Sequence, residues 1–312
     1  MPWDDRLGRR LKLKDLQTLI AVIEAGGIGK AAGRLNYTQP AVSKAIASLE
    51  RILGKRLFER GRGGIELTPY GDAMLKCGIA VFDDLRKGVA DIDFLSDPTT
   101  GEVHVGCSET VAAGIVSAVI NRVAERYPRI VFDVTLRNPT AIYRELESRN
   151  VDFAISQLIG HVEDEDHLQC EILHHEAIVV VASSRHRFAL KRRVELADLA
   201  DDHWVLPEPG SFITSTVAEA FRSRGLESIR ARTLASSPYL RLVLAARGHF
   251  LTVVPASMLG SFRELPIKTL AVDLPGNQRP VGIVTLKNRA LSPVAQLFIE
   301  HARAMAKTMN RD

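Results

Sequence analysis

The chain has 312 residues, 46% hydrophobic and 25% charged, with a net charge of +4. This balance excludes disordered and collagen-like classes and allows two or three domains with proper cores. Three cysteines at wide spacings, Cys77, Cys107 and Cys170, exclude a disulfide framework and a Cys-x-x-Cys metal site.

No apolar run is long enough to span a bilayer, and residues 1–14 lack the apolar core of a signal peptide. A cytoplasmic location without a membrane partner is expected. The charge is uneven. Residues 1–76 hold 14 Lys+Arg against 8 Asp+Glu, and residues 77–97 hold 2 against 5. Basic charge collects near the N-terminus, as phosphate neutralisation requires.

Leu16, Leu19, Ile20 and Ile23 predict a helix over about 14–25, ended by Gly26-Gly27. Ala31, Ala32 and Leu35 are the inward residues of a second helix over 28–35. Asn36-Tyr37 forms a turn, since Asn tolerates positive φ. Thr38 caps a third helix, Pro40 sits in its first turn, and Gly54 ends it. Val42, Ile46, Leu49 and Leu53 form its apolar stripe, which leaves Gln39, Pro40, Ser43 and Lys44 exposed at its start. Gln pairs donor and acceptor with adenine, Lys donates to guanine or phosphate, and Ser adapts to either. This is a helix-turn-helix whose reading helix enters a major groove, and double-stranded DNA is the expected partner. An ordinary helical hairpin with a solvated polar face is the alternative that the residues alone leave open.

Residues 55–67 predict a two-stranded wing with Arg60 and Arg62 near its tip, placed for phosphates or a minor groove. A long helix then runs from Thr68-Pro69 to about Leu95. Its stripe of Tyr70, Met74, Cys77, Val81, Leu85, Val89 and Ile92 suits pairing with a second copy.

Residues 11–68 resemble the DNA-binding domain of LysR-type transcriptional regulators. The resemblance rests on Ala31-Ala32-x-x-Leu35-x-x-Thr38-Gln39-Pro40-Ala41-Val42-Ser43, Leu49-Glu50, Leu53-Gly54, Leu57-Phe58-x-Arg60 and Leu67-Thr68-x-x-Gly71. Gly27 and Gly29 replace the Ser and larger polar residue that the family often has there.

Beyond Gly101 the pattern turns α/β. Strands are expected at 103–106, 130–136, 151–156, 178–182, 204–207, 250–254 and 281–285. Helices are expected at 108–127, 140–148, 212–224, 238–246 and 293–307. The alternation implies parallel sheets covered on both faces.

The resemblance implies an N-terminal winged helix-turn-helix domain (11–68) and a linker helix for dimerisation (69–97). It further implies a two-lobed α/β regulatory domain like a periplasmic binding protein (101–307). Lobe one would span about 101–173 and 272–307, and lobe two about 174–271. A small-molecule effector would lie between them. Ligands of open α/β sheets bind at the carboxyl ends of strands. The cleft candidates on that rule are Ser108, Glu109, Thr110, Ser156, Gln157, Pro207, Ser211, Thr252 and Pro255. Ser108 and Thr110 precede a helix start, which favours an anion such as a carboxylate. The same hydroxyls could serve simply as helix caps.

His161-x-Glu163-Asp164-Glu165-Asp166-His167, then Cys170, His174 and His175, is dense in metal-ligand types but matches no zinc spacing. It reads as a solvated polar connection between strands. No phosphate-binding loop, nucleophile elbow or His-Glu-x-x-His motif occurs. The expectation is a non-enzymatic, effector-responsive regulator with no cofactor and no metal. It would act as a dimer or tetramer through the linker helix and regulatory domain, with RNA polymerase as a further partner. An enzyme with a DNA-binding appendage and an effector-free architectural binder are the rival readings.

Overall fold

The computed structural model describes residues 10–61, 64–158, 165–227, 229 and 231–309. It divides into two compact units, Met1–Val89 and Ala90–Asp312.

In the first unit, α1 (Leu13–Glu24), α2 (Ile28–Arg34) and α3 (Gln39–Leu53) close around one core. Leu19, Ala31, Val42, Leu49 and Leu57 are fully buried there. Two turns use left-handed backbone, Gly26 at φ 67° and Asn36 at φ 53°. α2 begins at Gly27 without a side-chain cap, as its missing hydroxyl dictates. β1 (Phe58–Gly61) and β2 (Gly64–Leu67) pair antiparallel as a wing. α4 (Pro69–Ser96) follows. Its Gly78 lies against Leu16 and Ile20, while Leu85, Val89, Ile92 and Leu95 are exposed.

The second unit has β3 (Thr100–Cys107), α5 (Glu109–Val111), a π-helical turn (Ala112–Val116), α6 (Ser117–Arg126) and β4 (Arg129–Leu136). Then come α7 (Pro139–Glu147), β5 (Phe153–Gln157) and the long β6 (Leu168–Ser183). A second group holds β7 (Val205–Leu206), α8 (Phe212–Arg222), β8 (Thr233–Leu234), α9 (Pro238–Ala246), β9 (Thr252–Pro255) and β10 (Ile267–Thr269). β11 (Gln278–Leu286) and α10 (Pro293–Met309) complete the unit.

The main sheet has the order β10-β6-β11-β5-β3-β4, with β9 also on β6. β3 pairs parallel with β4 and β5, but β6, β9, β10 and β11 pair antiparallel. The sheet is therefore mixed, where the alternation had implied parallel pairing. The reason is topological: the chain leaves one lobe along β6 and returns beside it in the opposite direction along β11. Phe153 and Phe298 anchor the first lobe's core, and Trp204 and Phe221 the second's.

The polar stretch before Ile178 is the main departure. Residues 168–176 belong to β6, not to a connection. From His174 onward alternate residues face inward: His174, Glu176, Ile178 and Val180 are buried. That is the period of a half-buried strand, continued by polar residues. His161, Glu163 and Asp164 lie outside the described residues, and His167 bonds Glu147 at 2.8 Å. Among the described residues no helix is long and apolar enough to cross a membrane.

Candidate functional site

The first unit offers a continuous polar surface. Val42, Ile46 and Leu49 bury one face of α3, so helical geometry leaves Gln39, Pro40, Ser43 and Lys44 exposed on the other. The helix start is fixed locally: the Thr38 hydroxyl accepts a hydrogen bond from Ala41 N at 3.4 Å. Its end is fixed by Gly54 at φ 66°. Glu50 reaches forward, where its Oε1 accepts from Leu57 N at 2.7 Å and Phe58 N at 3.4 Å. One carboxylate thereby ties α3 to the wing. An open groove of about 870 Å³ lies between them, lined by Ser43, Ala47, Arg56, Phe58 and Ile65 among others. Arg60 stands in β1 opposite Ile65. Arg62 lies outside the described residues.

The second unit holds a cleft between its lobes. β3 ends at Cys107, and the Ser108 and Thr110 hydroxyls lie 3.1 Å apart just beyond it. Ser237 Oγ, at the start of α9, donates to Glu109 Oε1 at 3.5 Å across the cleft. Ser261 Oγ donates to Ala113 O at 2.7 Å. Gly114 lies so close that a Cβ there would stand 2.7 Å from Ser257 Oγ. The π-helical turn of lobe one thus rests on residues 256–262 of lobe two.

At the floor of the cleft Thr110, Gln157, His174, Glu176, Pro255 and Ser257 surround a cavity of about 10 Å³. Ser257 donates twice to Glu176, from N at 3.2 Å and from Oγ at 2.6 Å. His174 Nε2 lies 3.3 Å from Glu176 Oε2, with both side chains more than nine-tenths buried. Burial pushes the Glu176 carboxyl up, but the His174 and Ser257 bonds outweigh it and hold it below the usual value. Arg241, 2% exposed, donates to Ala235 O at 2.9 Å and Ser236 O at 3.0 Å. Burial lowers its pKa to about 10, against the pull of Glu109 and Glu208, so it stays charged at neutral pH.

Two family models match the chain. A bacterial regulatory helix-turn-helix model of the lysR family covers residues 13–72. The LysR substrate binding domain covers residues 96–307. The chain belongs to the LysR family of transcriptional regulators. The HTH-type transcriptional regulator GbpR of Azospirillum brasilense is 30% identical, over 98% of this chain and 90% of its own length. TdcA of Escherichia coli (strain K12), an HTH-type transcriptional regulator, is 27% identical over 94% of this chain and 92% of its own. The fold matches full-length CbnR solved with its target DNA, at a TM-score of 0.65 and 22% identity, over 94% of this chain and 99% of that one.

In this LysR-family chain the structure brings Thr110, Gln157 and Pro255 together at one cavity. Ser108 touches it through the Thr110 hydroxyl. Ser156, fully buried, donates to Gln157 O. Pro207 is buried and its carbonyl accepts from Thr214. Ser211 caps α8 through Thr214 N at 3.2 Å. Thr252 is fully buried in β9. Sequence reasoning missed His174, Glu176 and Ser257. The available signal was the inward alternation of His174 and Glu176 with Ile178 and Val180.

Proposed function

We propose that this LysR-type, DNA-binding transcriptional regulator reads a specific operator with Thr38, Gln39, Pro40, Ser43 and Lys44. Arg60 and Arg62 of the wing would meet the adjacent backbone or minor groove. The observation that carries the reading is the exposure of Gln39, Ser43 and Lys44 at the start of a helix whose other face is fully packed. The CbnR complex contains target DNA, which supports the same docking here. Gln39→Ala is expected to cost about 1–3 kcal/mol at the cognate site and to relax base preference at one position. Lys44→Ala is expected to weaken binding and lower the salt dependence by about one unit if it meets phosphate. Footprinting and salt titrations read both, and parent-like binding by both variants would remove α3 from the interface.

The boundaries proposed are 11–68 for DNA binding, 69–97 for dimerisation and 101–307 for effector binding. The two lobes would exchange at about 173 and 272. The apolar residues exposed along α4 support pairing with a second copy. Val81→Asp with Val89→Asp is expected to yield monomers, because unpaired buried charges are costly. Light scattering that finds an intact dimer for the folded double variant would move the interface elsewhere.

The effector is read as a small organic acid held between the lobes, with Ser108 and Thr110 at one side and the buried Arg241 on the other lobe. Differential affinity for two lobe settings is enough to switch the protein. A cytoplasmic location and contact with RNA polymerase belong to the same proposal.

A further inference from the structure

We infer that His174 selects the effector's chemistry, and that the effector is a hydroxy acid whose hydroxyl donates to His174 Nδ1. This rests on the effector reading above and narrows it.

The argument starts at Glu176. Its carboxylate accepts the Ser257 N–H on Oε1 and the Ser257 O–H on Oε2. A carboxylate filled by two donors is an acceptor only. The imidazole 3.3 Å away must therefore present N–H at Nε2. In the neutral ring the other nitrogen is then an acceptor. That nitrogen, Nδ1, is buried and has no hydrogen-bond partner among the described residues. His174 also lines the cavity of about 10 Å³, a volume on the scale of one water molecule. A hydroxyl oxygen is that size. A second carboxylate or a methyl branch is larger, and neither carries the donor that Nδ1 requires.

The surroundings agree. Thr110 and Gln157 line the same cavity, so one molecule can meet the Thr110 hydroxyl and His174 together. His174 lies on β6, the strand shared by both lobes, so occupancy there would act where the lobes join.

The test uses the full-length chain at pH 8 and two matched series. These are lactate, pyruvate and propanoate, and 2-hydroxyglutarate, 2-oxoglutarate and glutarate. Calorimetry is expected to show one hydroxy acid binding roughly tenfold or more tighter than its oxo and unsubstituted partners. Glu176→Gln then inverts the logic. The Ser257 N–H holds the amide oxygen in the place of Oε1, so the amide nitrogen faces His174 Nε2. The ring proton must move to Nδ1, and the preference for hydroxy over oxo acid should disappear. Equal or tighter binding of the oxo or unsubstituted acid by the parent overturns the inference and leaves the organic-acid reading standing. A folded E176Q variant with the parent's preference overturns it too. If no acid of either series binds the parent, the inference and the organic-acid reading both fail.

Discussion

Gly71→Ala is expected to unfold the DNA-binding unit. Gly71 lies in the first turn of α4, and a Cβ there would stand 2.1 Å from Leu57 O and 2.6 Å from Leu67 Cδ2. The Leu67 side-chain end can turn aside, but the Leu57 carbonyl, as backbone, cannot. Leu57 O accepts the Thr68 N–H at 2.9 Å. Thr68 Oγ1 in turn accepts from Gly71 N at 3.1 Å and donates to Arg56 O at 2.7 Å. The carbonyl is thus held by the junction that joins wing to helix. Overpacking costs about 1–3 kcal/mol and occasionally more, and fixed backbone puts Gly71 at the upper end, a large share of a small unit's stability. The measurement is thermal unfolding with operator binding beside it. The first unit's transition should fall or vanish, and the second unit's should stay. A variant that melts and binds like the parent would show that the junction relaxes freely.

Arg289→Met is expected to destabilise the second unit by about 3–5 kcal/mol, the usual cost of breaking a buried pair from one side. Arg289 is 9% exposed and donates to Val151 O and to Asp152 Oδ1, the latter at 3.1 Å. Asp152 also accepts from His104 N at 2.8 Å and faces His104 Nδ1 at 3.5 Å. The cluster fastens the start of β5 to β3 and to the loop after β11. Asp152→Asn in the R289M background should recover part of the loss, because the half-buried carboxylate that has lost its guanidinium is then neutral. Urea titration reads both variants, and a loss under 1 kcal/mol for R289M would mean that water replaces the guanidinium.

The same cluster sets a pH profile. The Asp152 bond is the main reason the His104 pKa lies above its ordinary 6.5, against the opposite pull of burial. His104 therefore contributes stability that is complete below pH 6.5 and is lost as pH rises through its folded value. For Asp152, burial pushes the carboxyl up, but bonds to His104 and the charge of Arg289 hold it below its ordinary 3.8. Its contribution is present above that value and is lost as pH falls through the lower, folded one.

The two sites differ in how much of them the sequence carries. The proposed DNA-facing surface lies within one short run, where caps, turn and stripe are local signals. Thr38, Pro40, Asn36 and Gly54 take the backbone roles their chemistry allows. The helix over 238–246 is equally local, with Ser237 as cap and a proline in its first turn. The cleft is assembled instead from Thr110, Gln157, His174, Pro255 and Ser257, which meet only when β3, β5, β6 and β9 are in place. His174 and Glu176 read as a polar connection because buried polar residues break the apolar alternation that marks a strand. Their burial is made affordable by Ser257, some 80 residues further along, and that partner has no local signature.

The route of β6 and β11 bears on how this protein is made. β5 finds its second neighbour only in β11, and the Phe153 ring meets Phe298 of α10. Until the ribosome has delivered those segments, lobe one exposes an unpaired strand edge and an open core. The first unit, built from contacts close in sequence, can fold long before. During synthesis the chain therefore passes through a stage with a finished DNA-binding unit and an unfinished sensor. An interrupted or C-terminally nicked chain would keep its grip on DNA while its edge strand invites aggregation.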